Sequence, residues 1–164
     1  FVKPNNNGSS FGVSKVDHKK NLKEAIIEAR KYSKDVIIEK AFNFAEYTVG
    51  ILKGEALQPL EIIAEDNEGF YDYKAKYLSK GTKKVEVVDK NIKKELKKIA
   101  LKAFYKHGCQ TWGRVDFVYD GKYLGVLEIN TVPGFTEKSL FPLAAKMSGI
   151  NYQELITKII EDSL

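Results

Sequence analysis

The stretch from Gly113 to Gly134 constrains this chain most. It reads Gly-Arg-Val-Asp-Phe-Val-Tyr-Asp-Gly-Lys-Tyr-Leu-Gly-Val-Leu-Glu-Ile-Asn-Thr-Val-Pro-Gly. Two strand-like runs flank Asp120-Gly121. Side chains alternate across a strand, so Arg114 and Asp116 share one face, as do Glu128 and Asn130 on the second run. Val115, Phe117, Leu127 and Ile129 point the other way and can enter a core. If the two polar faces coincide, one guanidinium, two carboxylates and an amide gather on one surface. Oxygen ligands of this kind suit Mg²⁺, which keeps waters and bridges substrate phosphates. Directly opposed antiparallel residues share a face. A two-residue loop at Asp120-Gly121 would set Asp116 against Gly125 and send Glu128 to the wrong side. The shared face therefore requires an odd-length loop or a bulge, and Gly121 can supply a left-handed residue for it. The competing reading is an ordinary amphipathic hairpin with a solvated face. Four polar groups followed by Pro133-Gly134 weigh against it.

With 164 residues, 43% hydrophobic and 30% charged, the chain can bury one real core. It has no apolar run long enough to span a bilayer, and it carries no signal-peptide pattern. Lone Cys109 rules out an internal disulfide and fits a reducing compartment; the expected location is cytoplasmic. The net charge of +5 is spread along helical and loop stretches. It reads either as a solvated basic face or as an attraction for phosphate-bearing ligands. Nucleic-acid binding lacks a motif or dense basic tract. The chain begins Phe1-Val-Lys-Pro without Met, and it is read as opening inside a strand of a longer protein.

The order of elements points to an α+β class: a mostly antiparallel sheet with helices packed on one face. Phe1 to Lys3 ends a strand, and Asn5 to Ser10 is a polar loop. Phe11 to Val16 is extended, and Asp17 caps a helix running to about Ser33 with Leu22, Ile26, Ala29 and Tyr32 at helical spacing. Val36 to Lys40 is a short strand. Tyr47 to Lys53 and Ala56 to Ala64 form a hairpin around Gly54. Phe70 to Thr82 fits no clear period. A helix from about Asn91 to Lys106 buries Ile92, Leu96, Ile99, Ala103 and Phe104, and Gly108 ends it. Leu140 to Ser148 is a short helix. Asn151 and Glu154 form a capping box for the last one, which turns Leu155, Ile156, Ile159 and Ile160 inward.

Several further stretches can carry chemistry. Lys3 precedes an Asn/Gly/Ser loop whose backbone N–H groups can approach phosphate oxygens, although such loops usually just make turns. Glu39-Lys40, at a strand end, fit either solvated charges or an adenine and a phosphate. Glu46 fits either a surface charge or a ribose contact. Tyr71 to Tyr77 alternates aromatics with charge, as an edge strand or a ligand-covering loop would. His18 and His107 are structural by context, and Cys109 lacks a catalytic partner.

Together these stretches resemble the D-alanine–D-alanine ligases of the ATP-grasp class. The carriers are Phe1-Val-Lys-Pro with Gly8-Ser-Ser-Phe-Gly12, then Glu46-Tyr-Thr-Val-Gly50, Phe70 to Tyr77, and Gly113 to Asp116. Leu127-Glu-Ile-Asn-Thr-Val-Pro-Gly-Phe-Thr136 with Ser139-Leu140 completes the set. They run nearly end to end, but they cover only the C-terminal part of that family. The resemblance implies one domain over 1–164, truncated at its N-terminus, acting on ATP and D-alanine with two Mg²⁺ or Mn²⁺ ions. It implies Asp116, Glu128 and Asn130 as metal ligands. Arg114 and the Gly134 N–H would stabilise the acyl phosphate and the oxyanion, and Ser139 with Leu140 would hold the second D-alanine's carboxylate. Lys3 and Lys40 would contact ATP phosphates, with Glu39, Phe42 and Phe70 at the adenine and Glu46 at the ribose. Ser9 and Tyr77 would close the site, with Lys76 reaching phosphate and substrate. Tyr77 would favour D-alanine over D-lactate. A homodimer is implied for the full-length form, and little or no activity for these residues alone. Another ATP-grasp carboxylate–amine ligase and a non-catalytic nucleotide-binding fragment are the alternatives. Asn6-Asn7 and Phe44-Ala45 depart from the family pattern.

Overall fold

The structure, a computed structural model, describes residues 1–8, 10–42, 45–63 and 82–163. Ser9, Phe70, Lys76 and Tyr77, and with them the Phe70 to Gly81 stretch, lie outside the described residues. The chain divides into two units.

The first unit contains β1 (Val2–Pro4), α1 (Leu22–Arg30) and β2 (Val36–Ile38). β1 and β2 pair antiparallel, with Lys3 opposite Ile37. Val2, Ala25 and Ala29 form a small core supported by Val16, Leu22, Ile26 and Val36. The expected helix start at Asp17 is corrected. A 3₁₀ turn at Lys19–Asn21 intervenes, and the α-helix begins at Leu22. Asp17 instead faces Lys15 at 3.6 Å. A Cβ on Gly12 would sit 2.5 Å from the Tyr32 ring and 2.9 Å from Pro4, and φ there is +74°. That turn accepts only glycine without strain.

The second unit is built on an antiparallel sheet. Its strands are β3 (Ala45–Leu52), β4 (Glu55–Ala56), β5 (Leu60–Ile63), β6 (Lys83–Glu86), β7 (Trp112–Tyr119) and β8 (Leu124–Asn130). The spatial order is β6-β5-β3-β7-β8, with β4 on the end of β3. The hairpin around Gly54 is present, but its second arm is broken: Pro59 has no N–H to donate, and pairing resumes at Leu60. β6 was not foreseen. Its Lys-Lys-Val-Glu sequence has no alternation of apolar residues, and pairing with β5 decides the matter.

Three helices complete this unit: α2 (Lys90–Lys106), α3 (Leu140–Met147) and α4 (Tyr152–Ser163). Asp89 caps α2, its carboxylate accepting from the Asn91 and Ile92 N–H groups, and Gly108 follows the helix at φ +81°. Leu96, Ala100 and Phe104 of α2 pack on Tyr47, Val49, Ile51, Val115 and Phe117. Full burial of each large side chain contributes roughly 1.5–3 kcal/mol. The long helix thus covers one sheet face, as the sequence implies. The short α3 also meets the opposite face at one end, where Phe141 approaches within about 3 Å of a Cβ built on Gly50. The capping box of α4 forms: Glu154 accepts from the Asn151 N–H, and the Asn151 side chain accepts from the Glu154 N–H. Leu155 is buried, but Ile156 and Ile160 are exposed, contrary to the amphipathic pattern.

Tyr47 lies under α2, and burial, followed by the negative charge of Glu61, raises its phenol above the usual value near 10. The folded state therefore holds that proton more tightly than the unfolded chain. The associated stability is intact below pH 10 and is lost as pH rises further. Tyr47→Phe is expected to flatten the alkaline limb of a stability-versus-pH curve measured by urea unfolding; an unchanged limb would remove Tyr47 from that account.

Candidate active site

Strand register builds the site. Asp116 stands opposite Thr48 on β3 and opposite Glu128 on β8. In the next row, Arg114 stands between Gly50 and Asn130. The hairpin runs in even register from Tyr119↔Leu124 to Phe117↔Val126, then shifts so that Asp116 meets Glu128. Leu127 is the extra residue. This β-bulge restores the parity that the sequence required, and it brings both polar pairs to one face. Asp120 closes the turn by accepting from the Lys122 and Tyr123 N–H groups, and Gly121 has φ +91°.

Asp116 is the hub. Its Oδ1 accepts from Thr48 Oγ1 at 2.6 Å and Arg114 Nε at 2.8 Å. Its Oδ2 accepts from Arg114 Nη2 at 2.7 Å and Asn130 Nδ2 at 3.0 Å. The Arg114–Asp116 pair is therefore bidentate, with only 14% and 13% of the two side chains exposed. Asn130 Nδ2 also donates to Glu128 Oε1 at 3.3 Å, and Glu128 itself is exposed. A carboxylate offers about four lone-pair sites, and the four donors at Asp116 use them all. Glu46 lies two residues before Thr48 and so on the same face. Sequence reasoning assigned no role to Thr48. Its side chain is fully buried and fixes one oxygen of Asp116 from a strand 68 residues away. Only register reveals that partnership.

The second part of the site is the loop from Thr131 to Ser139. Trp112 at the start of β7 contacts Phe135 and Phe141 at centroid distances of 5.4 and 5.2 Å. Tyr152 of α4 donates to the Phe135 carbonyl at 2.6 Å. These contacts hold the loop at the sheet end that carries Arg114. Ser139 Oγ accepts from the Thr136 N–H at 3.1 Å and lies 2.8 Å from Thr136 Oγ1. A Cβ on Gly134 would come within 3.3 Å of Ser139 Oγ, so Gly134 and Ser139 adjoin. Leu140 opens α3, where backbone N–H groups lack partners within the helix. Such a terminus favours an anion.

In the first unit, Lys3 Nζ pairs with Glu39 Oε2 at 2.8 Å, and both groups are partly exposed. β1–β2 pairing brings them together. Lys40 Nζ lies 4.9 Å from the centre of the Phe42 ring. The structure thus gathers Lys3 with Glu39, Lys40 with Phe42, and Arg114 with Asp116, Glu128, Asn130 and Thr48. It also sets Gly134, Ser139 and Leu140 in one short segment. Among the described residues no group of three or more His, Cys, Asp or Glu is placed to hold a metal. Asp116, Glu128 and Asn130 form a mixed set of two carboxylates and an amide.

The comparisons agree with this architecture. The family model described as "D-ala D-ala ligase C-terminus" matches residues 1–161, and the chain belongs to that family. It is 45% identical over 163 residues to the D-alanine–D-alanine ligase of Buchnera aphidicola subsp. Schizaphis graminum, covering 98% of this chain and 53% of that one. The solved D-alanine–D-alanine ligase of Bacillus anthracis complexed with ATP superposes with a TM-score of 0.83 at 29% identity, covering 99% of this chain and 51% of that chain. The VanG D-Ala:D-Ser ligase of Enterococcus faecalis gives 0.86 at 31% identity, covering 100% and 49%. The chain spans about half the length of the relatives it matches. No helix among the described residues is long and apolar enough to cross a membrane.

Proposed function

We propose that this chain is the ATP-binding, bond-forming half of a D-alanine–D-alanine ligase that supplies peptidoglycan precursor. The reading rests above all on the Arg114–Asp116–Asn130–Glu128 array, aligned on one sheet face by a bulge. ATP transfers its γ-phosphoryl group to a carboxylate oxygen of the first D-alanine, giving ADP and an acyl phosphate. The amine of the second D-alanine attacks the acyl carbon, and the tetrahedral species expels phosphate as the amine loses a proton. Catalysis of this kind consists mainly of positioning and charge neutralisation.

Each role is assigned to a named group of the chain. Arg114, fixed bidentately by Asp116, faces the developing negative charge with little reorganisation. The Gly134 N–H serves the oxyanion. Ser139 Oγ and the first turn of α3 at Leu140 take the carboxylate of the second D-alanine. Asp116, Glu128 and the side-chain carbonyl of Asn130 would hold two Mg²⁺ or Mn²⁺ ions, because they offer hard oxygen donors. When bound, such ions neutralise phosphate charge. Turning the Asn130 amide would exchange its donor for an oxygen and free one lone pair of Asp116. Lys3 and Lys40 would bind phosphates, Glu39, Phe42 and Phe70 the base, and Glu46 the ribose. Ser9, Lys76 and Tyr77 would cover the substrates. A cytoplasmic homodimer of the full-length form belongs to the same reading.

The test is dipeptide formation by a full-length ligase carrying this segment. Ser139→Ala is expected to raise KM for the second D-alanine about tenfold, the loss of one hydrogen bond to a charged group, while leaving KM for ATP unchanged. Equal effects on both constants would remove Ser139 from the acceptor site.

A further inference from the structure

Lys84 belongs to the strand that the sequence did not announce. Register places it opposite Ile62, which stands opposite Glu46. Lys84 therefore shares the sheet face of Glu46, Arg114 and Asp116. Its ammonium donates to the Lys138 carbonyl at 3.2 Å, across 54 residues of sequence and immediately before Ser139. The side chain is half-buried, and no carboxylate among the described residues pairs with it. Burial, and after it the positive charge of Arg114, lowers its pKa from 10.5. A lysine that is partly desolvated, near another cation and without a counter-ion is unfavourable as pure scaffolding. Its charge gains value once an anion arrives.

We propose that Lys84 is a positioning residue of the ligation site: it ties the Lys138 carbonyl to the sheet edge, sets the Ser139-Leu140 segment, and draws the carboxylate of the incoming amino acid toward it. The loop is then held from two sides, by Tyr152 through the Phe135 carbonyl and by Lys84 through the Lys138 carbonyl. The tether is charge-assisted, and arginine can reproduce it whereas methionine, of similar length, cannot. Neither atom of the tether touches the reacting groups, so its loss should leave the bond-forming step nearly intact at saturating substrate.

This inference rests on the ligase reading, and the experiment separates the two. In a full-length ligase carrying this segment, Lys84→Met is expected to raise KM for the second D-alanine about tenfold with kcat and KM for ATP nearly unchanged, and Lys84→Arg to restore it within about threefold. In the 164-residue chain, the Ser139 and Leu143 amides, which donate to the Thr136 and Ser139 carbonyls, should exchange with solvent about tenfold faster in Lys84→Met, a readout independent of turnover. An active parent enzyme whose acceptor KM is the same in Lys84→Met overturns the role of Lys84 alone. Unchanged amide exchange overturns the tether, whatever the kinetics. A parent enzyme that forms no dipeptide overturns the ligase reading and this inference with it.

Discussion

In a full-length ligase carrying this segment, Asp116→Asn is expected to reduce ligation on the order of 10³-fold, a barrier increase of about 4 kcal/mol. The substitution keeps the shape of the side chain and removes its charge. Arg114 then loses the partner that holds it bidentately, and the proposed metal site loses its most buried carboxylate. The same change should destabilise the unit by about 3 kcal/mol, because it breaks a mostly buried bidentate ion pair by removing the charge of one partner. A double-mutant cycle apportions the effect. Arg114→Met combined with Asp116→Asn should be less destabilised than the sum of the two single changes, since either single change already breaks the pair. Additive losses in urea unfolding would mean that the pair is not coupled.

Phe104→Ala is expected to have the largest effect on stability, about 3–5 kcal/mol. Phe104 has no exposed surface and belongs, in the last turn of α2, to the core cluster between that helix and the sheet. Its ring fills the space over Gly113: a Cβ there would come within 2.7 Å of Phe104 Cε2 and 3.0 Å of the Asn130 carbonyl. The pairing of a large ring with a glycine lets α2 lie close to the strand that carries Arg114. Phe104→Leu should cost about 1–2 kcal/mol, as the cavity is smaller. Gly113→Ala should cost about 1–3 kcal/mol by overpacking, and less in the Phe104→Leu background, where the ring edge is gone. Urea midpoints at unchanged m-value provide the measurement. A Gly113→Ala cost that is the same in both backgrounds would contradict the packing account.

The sequence made some of this legible for identifiable reasons. Alternation in Gly113 to Asn130 assigned faces, and the need to put Glu128 beside Asp116 demanded a bulge or an odd loop. Leu127 supplies the bulge. Asn151 with Glu154, and Gly108, marked helix ends through local backbone chemistry that needs no tertiary partner. What escaped notice depended on distant pairing. Thr48 acquires its role only because β3 lies beside β7 in one register. Lys83 to Glu86 becomes a strand only because β5 offers an open edge. Ile156 and Ile160 follow helical spacing but remain exposed, and Leu155 is the buried residue of that helix. The start of α1 shifted because residues Lys19–Asn21 take up a 3₁₀ turn after Asp17, whose carboxylate faces Lys15.

Asp116 and Glu128 are proposed to present oxygen donors to a metal–nucleotide complex. The most direct measurement is calorimetric titration of the chain with ATP, with and without Mg²⁺, against the Asp116→Asn, Glu128→Gln double variant. Mg²⁺-dependent ATP binding is expected for the parent chain, with loss of that dependence in the folded variant. Equal Mg²⁺-dependent binding by both proteins would contradict it.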